Sequence, residues 1–176
     1  MSQFSAIDIP SLKLVKYPDP RLRQACQQVT DFDESLRALV EKMFEIMYKA
    51  GGVGLAGPQV GVAVRLFVAN PSAEEGDEQV YANPEVFGQE CVVELEEGCL
   101  SFPNVSAKVK RFALASIRAQ DVNGHPFEEH GEDLLARIYQ HETDHINGTL
   151  ILDRMSEVAK LANRRTLKEL EGAFAG

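Results

Sequence analysis

Residues 134–148 read LLARIYQHETDHING, and their periodicity predicts the helix around which the rest of the fold is expected to pack. The side chains of its inward face recur at spacings of four, three and four residues: Leu134, Ile138, His141 and His145. Such spacing is typical of a helix face that packs against a core. Acidic Glu132 and Asp133 suit the beginning of this helix, and Gly148 suits its end. Both histidines are therefore expected to face a core.

The stretch HETDH also has the spacing of a metal site. His141 and His145 are four residues apart on one helix face, so both imidazoles can bind a single metal ion, with Glu142 beside it. Hydrolysis by metal-activated water needs two neutral imidazoles, a Lewis acid and a carboxylate that moves a proton. The alternative is that both are hydrogen-bonded core histidines, or partners of Glu142 and Asp144.

A catalytic metal needs a third protein ligand and one open position. Three downstream glutamates are available: Glu157, Glu169 and Glu171. A better candidate lies upstream in EGCLS, residues 97–101, because glycine beside Cys99 at the end of a strand can hold a thiolate on a tight turn. The alternative for Cys99 is a buried small hydrophobic residue, as is expected of Cys26 and Cys91.

The composition is that of an ordinary globular protein. With 176 residues, of which 44% are hydrophobic and 26% charged, residues 1–176 are expected to form a single domain. The chain has neither a run of about 18 apolar residues nor a signal pattern, so a cytoplasmic location and no membrane partner are expected. Three cysteines fit a reducing compartment. The net charge of −9 argues against DNA as a partner.

Helices flank a central group of strands in the predicted element order. An amphipathic helix is predicted over 33–50, a glycine-rich loop over 52–59 and a last helix from Ser156 to about Leu170. The predicted strands are 62–68, 79–81, 91–95, 105–122 and a short one at 150–152. This order favours an α+β fold, with antiparallel or mixed sheets around the central metal-binding helix.

Two smaller expectations concern polar residues near the predicted strands. Asn123-Gly124 predicts a hairpin turn, with His125 and His130 in an exposed loop beyond it. The densest basic stretch is expected to be a solvated face of a sheet: Lys108, Lys110, Arg111 and Arg118.

With GVGLAGPQ at 52–59, EGCLS at 97–101 and HETDH at 141–145 in that order, the chain resembles the peptide deformylase family. The motifs and the elements around them extend the resemblance over essentially the whole chain. Gly57 stands where many members have alanine, and Ser106 stands where many bacterial members have a basic residue. The second departure leaves the contacts to the substrate backbone open.

The resemblance implies a reaction and a set of roles. The family removes the formyl group from the N-terminal formyl-methionine of newly made proteins and releases formate. It implies one divalent metal, most often iron(II), with zinc, nickel or cobalt as alternatives. The implied ligands are Cys99, His141 and His145. Glu142 would move the proton, while the Gln59 side chain and the Leu100 backbone N–H would meet the formyl oxygen.

The resemblance also implies how the substrate binds. Gly54 would let the peptide lie close to the loop and pair with it like an added strand. Val53, Leu95 and Ile138 are candidates for the wall of an apolar methionine pocket, with an ordinary core role as the alternative for each. The ribosome is a further candidate partner, through basic residues of the last helix: Lys160, Arg164, Arg165 and Lys168. A solvated helix face is the alternative there.

Two other functions are compatible with HETDH alone. A general HExxH metallopeptidase would cut internal peptide bonds and take its third ligand from downstream. A non-catalytic, metal-stabilised binding module would keep its metal and lose no function when Glu142 is replaced.

Overall fold

A computed structural model describes residues 2–175, which form helices around a twisted sheet. The helices are α1 Glu34–Lys49, α2 Asp133–Ile146, α3 Ile151–Arg154 and α4 Glu157–Ala175. The strands are β1 Gly54–Ala56, β2 Leu66–Ala69, β3 Gln79–Gly98, β4 Ser106–Gln120 and β5 Pro126–Glu132. Short 3-10 turns lie at Ile9–Ser11, Pro20–Arg23 and Gly57–Val60. No helix within the described residues has both the length and the apolar character needed to cross a membrane.

The strands form one antiparallel sheet in chain order, β1-β2-β3-β4-β5. Its longest unit is the β3–β4 hairpin, which is paired from Ala82 opposite Gln120 to Gly98 opposite Ser106. The α+β prediction is therefore confirmed, with the sheet antiparallel throughout. The predicted turn at Asn123-Gly124 is also confirmed, and it connects β4 to β5 with Gly124 at φ +82°.

Alternation along β2 explains why helices cover both faces of the sheet. Leu66 and Val68 pack into the core beneath α1, whereas Phe67 and Ala69 pack into the core beneath α2. Successive side chains of a strand point to opposite faces, so an apolar run of this kind suits a strand that is buried on both sides. This arrangement holds α2 against the sheet.

Helix α1 agrees with its sequence signals to within a residue. The Asp33 side chain accepts hydrogen bonds from the N–H groups of Ser35 and Leu36, at 3.0 and 3.1 Å, and so caps the helix. Its buried side chains recur every three or four positions: Leu36, Leu39, Val40, Met43, Ile46 and Met47.

Several predicted boundaries near the sheet were wrong. Part of the loop predicted over 52–59 is β1, because Gly54–Ala56 pairs with the end of β2. The strands predicted at 79–81 and 91–95 are one continuous strand, with a bulge between Phe87 and Glu90. His130 lies in β5 rather than in a loop, since residues 126–132 form the returning arm of the hairpin.

The strand predicted at 150–152 is also wrong. Residues Ile151–Arg154 form α3, and the Asp153 side chain accepts a hydrogen bond from the Leu150 N–H at 2.7 Å. Three aliphatic residues have no periodicity that separates a strand from a helix, so a local cap decides the conformation. The last helix is longer than predicted and continues to Ala175.

Candidate metal centre

Cys99, His141 and His145 come together from two separate parts of the chain. Helix α2 presents both imidazoles on one face, and Cys99 follows the end of β3. The Nε2 atoms of His141 and His145 are 3.2 Å apart, and Cys99 Sγ is 3.2 Å from His145 Nε2. The three donor atoms all lie within 4.8 Å of one another, and they form the only such group found among the described residues.

These separations fit a metal ion. Two ligands of a tetrahedral site with ordinary metal–nitrogen and metal–sulfur lengths lie about 3.3 to 3.6 Å apart. The donor pairs His141–His145 and Cys99–His145 lie at about that spacing. Two imidazoles and a thiolate are ligands suited to iron or zinc. The donor set therefore fits a single divalent metal with one position open.

Glu97 orients the first imidazole. His141 Nδ1 donates to Glu97 Oε1 at 2.5 Å, which leaves Nε2 directed toward Cys99 and His145. Burial opposes ionisation of Glu97, but hydrogen bonds from His141 and Arg111 lower its pKa to about 2. Glu97 is therefore a carboxylate at neutral pH and can hold the imidazole in this orientation.

Arg111 holds Glu97 in place through two hydrogen bonds. Its guanidinium donates to both carboxylate oxygens of Glu97, at 2.7 and 3.1 Å, and to Asp144 at 2.6 Å. Arg111 is only 4% exposed, so its prediction as part of a solvated face was wrong. Strand alternation explains the error, since Lys108 and Lys110 point outward while Arg111 shares the inner face with Val109.

The histidines differ in their protonation. Burial and the neighbouring His141 charge hold the pKa of His145 well below its usual value, so it is neutral. Burial alone would lower the pKa of His141, but its hydrogen bonds to Cys99 and Glu97 raise it. A metal ion would displace the proton from His141, because only a neutral imidazole can be a ligand.

Glu142 is a buried carboxyl group beside the donors. It is 4% exposed, and its Oε2 has no hydrogen-bond partner among the described residues. Burial raises the pKa of Glu142 to about 7, against the lowering effect of His141. Such a group can both accept and release a proton near neutral pH.

Gly54 makes room for Glu142. A Cβ atom at residue 54 would lie 2.6 Å from Glu142 Oε1, closer than such atoms approach one another. The family resemblance implied that a glycine here admits the substrate backbone, and the structure adds a second, steric reason for glycine at this position. Any side chain at residue 54 would displace the carboxylate.

Gln59 and Leu100 both lie beside the donors. Gln59 is 1% exposed, and its Oε1 accepts from the Ala56 N–H at 2.9 Å. Its amide nitrogen therefore points the other way, toward Ser101 Oγ at 3.2 Å and Cys99 Sγ at 3.6 Å. The Leu100 N–H has no acceptor among the described residues.

A cavity of about 660 Å³ opens onto the donors. The predicted pocket residues Val53 and Ile138 line it, as do Gly54, Gln59 and Leu100. Leu95 does not, since it is 45% exposed and the cavity meets β3 only from Glu96 onward. Glu96 and Arg137 also line the cavity, so its wall is less apolar than expected.

Other candidate ligands are engaged elsewhere. Glu157 and Glu169 pair with lysine or arginine on α4, and Glu171 accepts from the Tyr17 hydroxyl. His130 contacts Ser116, and His125 contacts Asp121. Cys91 is exposed and Cys26 is only half-buried, so the prediction that both are buried was wrong.

Sequence reasoning missed the residues that support the donors, namely Glu97, Arg111 and Asp144. Glu97 was part of the EGCLS motif but received no role. Strand alternation next to Val109 was the signal that could have placed Arg111 on the inner face. Its two carboxylate partners lie 14 and 33 residues away, a pairing that no local pattern specifies.

Comparisons with known proteins show which sequences this chain resembles. A profile of the family described as polypeptide deformylase matches residues 11–161. Peptide deformylase of Acidobacterium capsulatum is 44% identical over 162 residues, which are 91% of this chain and 95% of that relative. Chloroplastic peptide deformylase 1B of Oryza sativa subsp. japonica is 47% identical over 168 residues, covering 94% of this chain and 62% of the plant sequence.

Solved structures of peptide deformylases have the same fold. A crystal structure of the Plasmodium falciparum enzyme superposes with a TM-score of 0.89 at 42% identity, covering 93% of this chain and 97% of that one. The enzyme of Legionella pneumophila gives a TM-score of 0.87 at 42% identity with the same coverage of both chains. The likeness extends over nearly all of the described elements.

Proposed function

The chain belongs to the peptide deformylase family and removes the formyl group from the N-terminus of nascent peptides, and we propose that Cys99, His141 and His145 hold the metal for this reaction. The observation that carries the proposal is the convergence of one thiol and two imidazole nitrogens beside the buried carboxyl group of Glu142. Bound there, a divalent metal supplies Lewis acidity toward water and toward the formyl oxygen.

Glu142 moves the proton in the proposed mechanism. As water adds to the formyl carbon, Glu142 accepts a proton from it. When the carbon–nitrogen bond breaks, Glu142 passes that proton to the departing amine, and formate is released. Its raised pKa suits both steps, because the same group must take up a proton and release it at neutral pH.

Gln59 and Leu100 stabilise the charge that develops on the formyl oxygen. The hydrogen bond from the Ala56 N–H to Gln59 Oε1 holds the Gln59 amide nitrogen toward the metal donors. The Leu100 N–H is free to donate. Hydrogen-bond donors that are already in place need no reorganisation during the reaction. Each such donor typically raises the rate by about 10²- to 10³-fold.

The substrate-binding roles of the remaining cavity residues are also proposals. The first side chain of the peptide lies against Val53 and Ile138, both of which line the cavity. Its backbone pairs with the edge formed by Gly54, in the manner of an added strand. Residues 1–176 act in this as one catalytic domain.

Formate release tests the function directly. The metal-loaded protein is expected to release formate from a formyl-Met peptide and no acetate from the matched acetyl-Met peptide, because the proposed reaction acts on the formyl group. Anaerobic loading with iron(II) or nickel(II) protects the thiolate during the assay. No formate under either loading would contradict the proposed function.

We propose iron(II) as the metal, in keeping with the Cys99 thiolate and with most of the family. Cys99 lines the open cavity, so oxygen can reach both the thiolate and the metal. An iron-loaded sample is expected to lose activity during storage in air, whereas a nickel-loaded sample should keep more of it. Formate release and metal content, followed over time, measure this. Full activity of the iron form after aerobic storage would contradict the proposal.

We also propose a cytoplasmic location and a contact between α4 and the ribosome. Arg164, Arg165 and Lys168 lie together on that helix beside the exposed Leu161, within a chain of net charge −9. Such a basic surface favours RNA phosphates. Cosedimentation with ribosomes at increasing salt measures the contact. A variant with Arg164→Gln and Lys168→Gln should bind less, and equal binding would contradict the proposal.

A further inference from the structure

The hydroxyl group of Ser101 is buried beside the Gln59 side chain. Ser101 is 0% exposed, and its Oγ lies 3.2 Å from Gln59 Nε2, although the two residues are 42 positions apart in the chain. Gln59 lines the cavity, whereas Ser101 does not. Ser101 therefore lies behind Gln59, where its hydroxyl group can act on the Gln59 amide but does not meet a bound peptide.

The direction of the Gln59 amide group follows from its hydrogen-bond partners. A backbone N–H can only donate, so the hydrogen bond from the Ala56 N–H at 2.9 Å places Gln59 Oε1 at that end of the amide. The Nε2 group at the other end carries two hydrogens. Ser101 Oγ accepts one of them, which leaves the other on the side of Cys99, whose Sγ is 3.6 Å from Nε2. The second N–H therefore faces the metal donors.

The main chain holds the same two residues together. Residues 15–17 lie across both of them, because the Val15 N–H donates to the Gln59 carbonyl oxygen at 2.7 Å and the Tyr17 N–H donates to the Ser101 carbonyl oxygen at 2.8 Å. The Ser101 hydroxyl group is thus held at a defined place relative to Gln59. Its removal would leave one amide hydrogen of Gln59 buried without this acceptor, which carries a desolvation cost and favours other orientations of the amide.

We propose that Ser101 is a positioning residue, whose hydroxyl oxygen holds the Gln59 amide so that its second N–H points to the oxygen of the formyl group. The inference rests on the proposed function and adds a residue that acts through Gln59 rather than on the substrate. A donor that is held in place stabilises charge developing on the oxygen in the transition state. Loss of the Ser101 hydroxyl group should therefore lower kcat and leave KM nearly unchanged.

A double-mutant cycle tests whether Ser101 acts through Gln59. With nickel-loaded protein and a formyl-Met peptide, Ser101→Ala is expected to lower kcat by about 3- to 10-fold, the effect expected of one hydrogen bond, at full metal content. Gln59→Ala should lower kcat by about 10²- to 10³-fold. The double variant is then expected to have the kcat of Gln59→Ala alone. Losses that multiply in the double variant, or an unchanged kcat in Ser101→Ala, would overturn the proposal.

Hydrogen exchange of the Gln59 amide gives a second readout, which does not depend on turnover. In protein loaded with zinc(II), which is diamagnetic, the side-chain N–H signals of Gln59 are assigned by their loss in Gln59→Ala. Their exchange with solvent should become about 3- to 10-fold faster in Ser101→Ala, because one hydrogen loses its acceptor. Exchange at the wild-type rate in Ser101→Ala would overturn the proposal.

Ser116→Ala is the matched control. Ser116 is also a buried serine, at 8% exposed, but its Oγ contacts His130 and it does not line the cavity. This variant should keep the wild-type kcat and the wild-type exchange rate of the Gln59 amide. Absence of formate release by the wild-type protein would contradict the proposed function itself, and the exchange rates would then still decide whether Ser101 holds the Gln59 amide.

Discussion

Replacement of Glu142 by glutamine is expected to slow formate release by about 10²- to 10⁴-fold while one metal ion per chain is retained. Glutamine keeps the volume of the side chain beside Gly54 but cannot take a proton from water. The metal donors, which lie on other residues, stay in place. Single-turnover formate release measures the chemical step, and metal analysis of the same sample measures occupancy.

The glutamine variant should not lose stability. Glu142 is buried, and one of its oxygens lacks a hydrogen-bond partner within residues 2–175, so removing its charge does not break an ion pair. Thermal unfolding is the control, and Glu142→Ala is a second variant with the same expected loss of rate. A rate within a few-fold of wild type in both variants would contradict the role of Glu142. Unchanged function would favour the metal-stabilised binding module.

Replacement of Cys99 by serine is expected to remove most of the bound metal and to lower activity by at least about 10²-fold. A serine hydroxyl stays protonated at neutral pH and is a poor ligand for iron or zinc. The two imidazoles that remain cannot hold the ion as tightly as three donors do. Metal content after gel filtration and formate release at saturating metal measure the two effects separately.

Cys91→Ser is the matched control, because Cys91 is exposed on β3 and does not line the cavity. That variant should keep full metal content and full activity. Cys99→Ser also separates this enzyme from a general HExxH peptidase with a downstream ligand, which would keep its metal. If Cys99→Ser bound metal as tightly as Cys91→Ser, the assignment of the third ligand would be wrong.

Hydrogen bonds around the metal donors explain why large losses of activity are expected. His141 depends on Glu97 for its orientation, Glu97 depends on Arg111, and Arg111 also bonds Asp144 of α2. Gln140 adds a second link, since its side chain bonds both the N–H and the carbonyl of Phe112 on β4. The ligand helix is thus tied at several points to the hairpin that carries Cys99.

Local periodicity was enough to predict the principal helices. Helices α1 and α2 repeat their apolar residues every three or four positions, and Asp33 also caps α1, so neighbouring residues specify both helices. The donor set could be predicted because His141, Glu142 and His145 are adjacent on one helix and because EGCLS completes a recognisable order of motifs. These features need no knowledge of distant contacts.

Tertiary structure alone decided the surroundings of the donors. The burial of Arg111 and the clearance at Gly54 depend on which strand lies beside which helix. The extension of the sheet through β5 likewise depends on pairing with β4. Strand register and helix docking join residues that are tens of positions apart. The sequence by itself therefore predicted the metal donors and the helix that carries His141 and His145, and only packing decided how these donors are oriented and what lines the cavity.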